Sequence, residues 1–282
     1  QLFGSNNNSA LLYVPTANSS GGAIVHLDGG AAPVTGQLSI TTAVLGGTAN
    51  DNIGNGGIFD TGQGKLLVLS PDVDVFSSAD AGAVTLIDIN SGAVGFVDSI
   101  SLVGDQTGDR IGSRAPNQLD NGTFLLRAPD WHNNTGAVTF LDVASGHWLN
   151  DADFIGSVGT SNSLTGVNPG DNVGANGALR EVAFGKYILL SQSVSEFNGP
   201  TNVGAVTYFS DLTGVAGEIN ASNSLVGTHA GDVVGSGGLE FLDNNNLLIK
   251  SPLWNSSAGA ITFLDVNTGH FGGSVAGDLF GA

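Results

Sequence analysis

Short apolar runs recur along the chain, each flanked by glycine and small polar residues. Five of them open alike: Gly22-Ala23-Ile24, Gly82-Ala83-Val84, Gly136-Ala137-Val138, Gly204-Ala205-Val206 and Gly259-Ala260-Ile261. Their spacings are 60, 54, 68 and 55 residues. Four continue into threonine (Thr85, Thr139, Thr207, Thr262), and the first has Val25. A second apolar run precedes each: Leu11–Val14, Leu66–Leu69, Phe124–Leu126, Ile188–Leu190 and Leu247–Ile249. It ends near Pro15, Pro71, Pro129 or Pro252, with Gln192 in the fourth copy. A third signature, Ser101–Gly104, Ser163–Gly166 and Ser224–Gly227, has a looser counterpart at Val44–Gly46. It is followed by Asp-x-Ile/Val-Gly starting at Asp51, Asp109, Asp171 and Asp232.

The runs are too short for helices and rich in Val, Ile, Thr and Phe, so they read as strands. An interior glycine costs a helix ~1 kcal/mol, which argues the same way. Turn-rich stretches separate the runs: Asn6–Asn8, Thr61–Gly64, Asp120–Gly122 and Asp243–Asn245. Asp-Asn-Gly between apolar runs is a strong hairpin signal. In the last copy the strands are expected at Gly238–Leu242, Leu247–Lys250, Ala260–Leu264 and Phe271–Leu279. Apolar or small groups fall on both faces of these strands, as in a sheet covered on both sides. The expected fold is all-β: a β-propeller of about five four-stranded blades. Part of a larger propeller and a β-solenoid are the alternatives. The repeat domain spans 1–282, in approximate units 1–54, 55–112, 113–174, 175–235 and 236–282.

Composition adds a compartment. The chain has 25 acidic against 7 basic residues, 44 glycines, and no cysteine or methionine. Almost all the acid is aspartate, which favours turns by bonding local backbone. A net charge of −18 disfavours nucleic acid and anionic membrane surfaces as partners. No stretch is long and apolar enough for a membrane span. The first residue, Gln1, suggests a processed or trimmed chain, and the whole profile fits an extracellular or cell-surface protein.

The order of signatures resembles the FG-GAP repeat of integrin α-subunit propellers and related bacterial surface proteins. Val226-Gly227 stands at the Phe-Gly position, followed by Gly231-Asp232, Leu247–Pro252 and Gly259-Ala260-Ile261. The Gly-Ala-Val-Thr and Asn-Ser-Leu-Val-Gly units are also similar to repeats of very large bacterial adhesin-like proteins. The resemblance implies a propeller, a surface location and calcium loops. No copy carries the alternating acidic calcium loop Asp-x-Asp-x-Asp-Gly of that family.

Candidate metal ligands are of two kinds. Asp51, Asp109, Asp171 and Asp232 could offer oxygens to Ca2+, or could accept backbone N–H groups in turns. Asp72, Asp74 and Asp80 form the densest acidic cluster, and Asp151 and Asp153 a smaller one. Trp131, Trp254 and Trp148 could stack on a sugar at a rim, or plug the space between blades; Val73, Val194 and Ala17 hold the place of Trp131 elsewhere. The histidines show no metal-binding spacing and the serines no nucleophile elbow, so no catalytic role is expected. The expected function is non-catalytic adhesion or structural assembly, with surface or matrix components and glycans as partners and self-assembly into arrays. A lectin-like, calcium-dependent binding module is the alternative.

Overall fold

The structure is a computed structural model that describes residues 1–4, 8–30, 37–148, 155–175, 179–196, 199–242, 246–272 and 280–281. At Asn18, Trp148, Phe280 and Gly281 it describes the backbone alone. The chain is nearly all β and forms five small sheets, one for each repeat, in a propeller-like repeat fold.

The two apolar runs of each copy form the central hairpin of its sheet. In the second copy Lys65–Ser70 pairs antiparallel with Ala83–Asp88, in register from Lys65↔Asp88 to Ser70↔Ala83. Ser9–Val14 with Ala23–Asp28, Lys186–Ser191 with Ala205–Ser210, and Asn246–Ser251 with Ala260–Asp265 repeat this hairpin. Leu2–Gly4, Gly57–Asp60, Leu179–Ala183 and Leu239–Phe241 pair on its outer side. On the other side lies the Ser-Leu-Val strand, for example Leu102–Val103 against Ala83 and Val84.

A further strand joins three of the sheets, and it comes from the following copy. Gly95–Phe96 runs parallel to Ala43–Leu45, Gly156–Ser157 to Leu102–Val103, and Gly217–Glu218 to Ser163–Thr165. The expected four-stranded unit is therefore extended by a strand of two residues, too short to carry a periodic signal. The expected strand Phe271–Leu279 lies mostly outside the described residues, as do Asp151, Asp153, and the turns at Asn6-Asn7 and Asp243–Asn245.

Both faces of the central strands are covered, as the apolar pattern requires. Leu66, Leu67, Val68 and Leu69 are all 1% exposed or less. Full burial of such a side chain is worth about 1.5–3 kcal/mol relative to leaving it in water.

The chain divides into two compact units. One comprises Gln1–Asn117, Phe124–His132 and Leu141–Val158; the other comprises Gln118–Thr123, Asn133–Phe140 and Gly159–Ala282. The first has a core around Leu11, Ile24, Val44, Ile53, Leu66 and Val68. The second has its own around Ile188, Val206, Leu225, Val234, Leu247 and Leu264. Among the described residues no helix is long and apolar enough to cross a membrane.

Candidate functional site

The four repeated aspartates occupy one structural position. Asp51, Asp109, Asp171 and Asp232 are 0–2% exposed. One oxygen closes the loop just before the residue: Asp109 Oδ2 accepts the N–H groups of Asp105 (3.0 Å) and Gln106 (2.9 Å). Asp171 Oδ2 accepts Val167 and Asn168 N–H at 2.8 and 2.9 Å, and Asp232 Oδ2 accepts Thr228 and His229 N–H, both at 2.8 Å. Asp51 receives Thr48 N–H on Oδ2 and the Thr48 hydroxyl on Oδ1.

The other contact is distant in sequence. Oδ1 accepts the backbone N–H of Asp74, His132, Ser195 or Asn255, which lie 23, 23, 24 and 23 residues further on. Each aspartate is thus a staple between its own loop and the loop after the next apolar run. A carboxylate suits the place because it only accepts and offers about four lone-pair sites. Each repeated carboxylate accepts three hydrogen bonds from protein donors.

Asp72, Asp74 and Asp80 do not gather around one point. Asp72 Oδ1 accepts from Arg110 Nη2 at 2.9 Å, and Asp72 Oδ2 from Asn55 Nδ2. Asp74 Oδ1 accepts the Asp80 N–H at 3.0 Å. Among the described residues, the one group of three potential ligands with atoms within 4.8 Å is Asp105, Asp109 and His132. His132 Nε2 lies 2.7 Å from Asp105 Oδ1. Neither Asp105 nor His132 is a sequence candidate, because the loops that hold them lie 27 residues apart and meet only in the fold.

The residue before each stapled N–H is Val73, Trp131, Val194 or Trp254. Trp131 is not a rim aromatic: it is 6% exposed, and its ring stacks on His132 with centroids 3.7 Å apart and planes 13° apart. One face of the indole is thus covered by imidazole. Trp254 is half-buried, and the Trp148 side chain lies outside the described residues. Both Trp131 and Trp254 begin left-handed turns: His132, Asn133 and Asn134 have φ of 48°, 58° and 66°, and Asn255, Ser256 and Ser257 have 51°, 58° and 69°.

Beside Val194 lies a cleft of about 340 Å³. Val194, Ile219 and Val226 contribute apolar walls, and Glu196 and Glu218 two carboxylates.

The polar partners of the framework also repeat. Thr85, Thr139 and Thr207 exchange hydroxyl hydrogen bonds with Ser101, Ser163 and Ser224 at 2.6, 2.6 and 2.7 Å. These join the Gly-Ala-Val-Thr strand to the Ser-Leu-Val strand inside the sheet. Burial pushes all three tyrosines above their usual range, Tyr187 to about 12.

Comparison with known proteins gives a family but little else. Curated proteins include no match. A crystal structure of a eukaryotic initiation factor aligns at 10% identity and a TM-score of 0.29, over 77% of this chain and 52% of that one. The tricorn protease aligns at 13% identity and a TM-score of 0.31, over 96% of this chain and 26% of that one. The chain spans about half of the first protein's length and about a quarter of the second's. The model of a repeat of unknown function, DUF5650, matches four times in succession, at residues 61–113, 118–175, 182–236 and 241–277, and the chain belongs to that repeat family.

Proposed function

We propose that the chain is a non-catalytic repeat module of a cell surface or extracellular structure, serving adhesion or structural assembly. The carrying observation is where the recurrent polar side chains spend their hydrogen bonds. The four aspartates are buried staples, and the Thr–Ser pairs are buried inside sheets. What repeats is framework, while the residues that ride on it differ: Asp74, His132, Ser195 and Asn255.

Constant sheets with variable loops suit contact at several points. Weak single contacts on linked modules combine through effective concentration. The Cys-free, Met-free, strongly acidic composition supports an exported location. At the finer level, the shared order of signatures supports a relationship to FG-GAP repeats.

The test is attachment. Beads coated with the full chain are offered to matrix-coated and cell-covered surfaces, and antibody against the chain is applied to intact and permeabilised source cells. Specific bead retention with labelling of intact cells is expected. Labelling only after permeabilisation, without retention, would overturn the reading.

A further inference from the structure

The cleft lies beside Val194, at the position that Trp131 holds in another copy. Val194 precedes the stapled N–H of Ser195, as Trp131 precedes that of His132. In the Trp131 copy the indole is buried against imidazole. In the Val194 copy Val194 is itself 1% exposed and forms one wall of the open cleft.

Its chemistry is unusual for this chain. Only four glutamates occur in the sequence, Glu181, Glu196, Glu218 and Glu240, and two of them line this cleft. Glu240 is paired with Lys250 at 3.2 Å. Among the described residues, neither the Glu196 nor the Glu218 carboxylate has a hydrogen-bond or ion-pair partner; the bonds at these residues go to their backbone atoms. No lysine, arginine or histidine lines the cleft. Two unpaired carboxylates beside an apolar floor match a group with an aliphatic stem and a cationic head.

We propose that this cleft receives an arginine side chain of a partner protein, its stem against Val194, Ile219 and Val226 and its guanidinium on Glu196 and Glu218. Arginine fits better than lysine for physical reasons. Guanidinium is planar, permanently charged and less strongly hydrated than ammonium, and its several donors can serve two carboxylates. The methylene stem covers apolar surface while the head stays at the wet rim. The site is independent of the surface-adhesion reading: it requires only this cleft.

The probe is acetyl-arginine methylamide, titrated into the isotope-labelled full chain and followed by NMR. Saturable shifts are expected at the methyl groups of Val194, Ile219 and Val226, with millimolar dissociation and weakening as salt is raised. Glu196→Gln and Glu218→Gln, both at exposed positions, should each weaken binding ~3-fold. Val194→Trp should abolish it by filling the cleft. The glutamine variants keep the test decisive if Val194→Trp does not fold. Absent shifts, equal shifts with acetyl-norleucine methylamide, or glutamine variants that bind unchanged would each overturn the proposal.

Discussion

The Asp109 carboxylate accepts the backbone N–H of His132 at 2.7 Å, across 23 residues of sequence. Its other oxygen holds the N–H groups of Asp105 and Gln106. Because the distant donor is backbone, the side chain at that place is free to vary, as Asp74, Ser195 and Asn255 do in other copies. Asp109→Asn keeps the shape but turns one acceptor into an NH2 that faces N–H donors. Hydrogen bonds to charged groups are worth about 1.5–3 kcal/mol each, so a loss of about 2–4 kcal/mol is expected. Urea denaturation read through tryptophan fluorescence measures it. His132→Ala, which keeps the N–H, should cost distinctly less; equal losses would locate the stabilisation in the imidazole instead.

Thr139 and Ser163 illustrate a second repeated joint, 2.6 Å apart and almost fully buried. In the first copy the register pairs Val25 with Ala43, so both hydroxyls are absent together. That copy has the apolar solution to the same packing problem. Ser163 Oγ also donates to Asn162 Oδ1 at 2.8 Å, so Thr139 is the donor of the pair; removing the Ser163 hydroxyl orphans that buried donor, whereas removing both hydroxyls does not. Thr139→Val and Ser163→Ala should therefore be non-additive, with the double variant about 1 kcal/mol more stable than the sum of the singles implies. A double-mutant cycle by chemical denaturation gives the number; additivity within error would mean the pair does not act as a unit.

These two joints mark what could be read in the sequence. The central hairpins were legible because their apolar runs recur with fixed companions, and Lys65–Ser70 with Ala83–Asp88 lies where the runs predicted. A backbone-accepting role for Asp51, Asp109, Asp171 and Asp232 was legible as one of two readings. Their reach across 23 or 24 residues was not, because it depends on how one loop packs on the next. The parallel strand Gly95–Phe96 was hidden by its two-residue length. The cleft was half-legible: Val194 was seen in the place of Trp131, but a missing side chain gives no sign of whether its space closes.

Tyr187 sets the alkaline limit. Its hydroxyl accepts the Asp120 N–H at 3.0 Å, and burial, the main cause, pushes its pKa up to about 12. In the unfolded chain a tyrosine titrates near ~10. Above that pH the unfolded state loses the proton first and binds fewer protons than the folded state, so stability falls as pH rises. Tyr13 and Tyr208 are raised as well and add to the slope between pH ~10 and the folded values. Absorbance titration should show tyrosinate appearing late in the folded chain and at once on unfolding. Tyr187→Phe should flatten the alkaline slope, and a slope unchanged in that variant would remove Tyr187 as its cause.

Gly136 tests the close approach between the Gly-Ala-Val strand and the Asp-x-Val-Gly segment. It has a φ of +78°, and an added Cβ would lie 2.3 Å from Val173 N and 2.4 Å from Val173 O. Both atoms are backbone, so nothing flexible can yield. Gly170, at φ +91°, would put its Cβ in open space. Gly170→Ala should cost only the left-handed strain of ~1–2 kcal/mol, whereas Gly136→Ala should cost ~3 kcal/mol or more or prevent folding. Thermal unfolding of the two variants side by side decides it: equal losses would mean that backbone conformation, and not the contact with Val173, makes glycine necessary.

Calcium gives the last test, through the loop that holds Asp72, Asp74 and Asp80. A Ca2+ ion takes 6–8 oxygen ligands, and carboxylates already engaged by protein donors must leave them to bind. Asp72 is held by Arg110 and Asn55, and Asp74 by Asp80 N–H. The loop is thus closed by its own hydrogen bonds. Chelator should leave the Tm of the full chain unchanged, and added calcium should not raise it. The Arg110–Asp72 pair is itself a minor contributor, since the Arg110 side chain is 42% exposed; Arg110→Ala should cost no more than ~1 kcal/mol. A calcium-dependent rise in Tm that disappears in Asp72→Asn would instead make this loop a cation site, and Arg110 the group that the ion displaces.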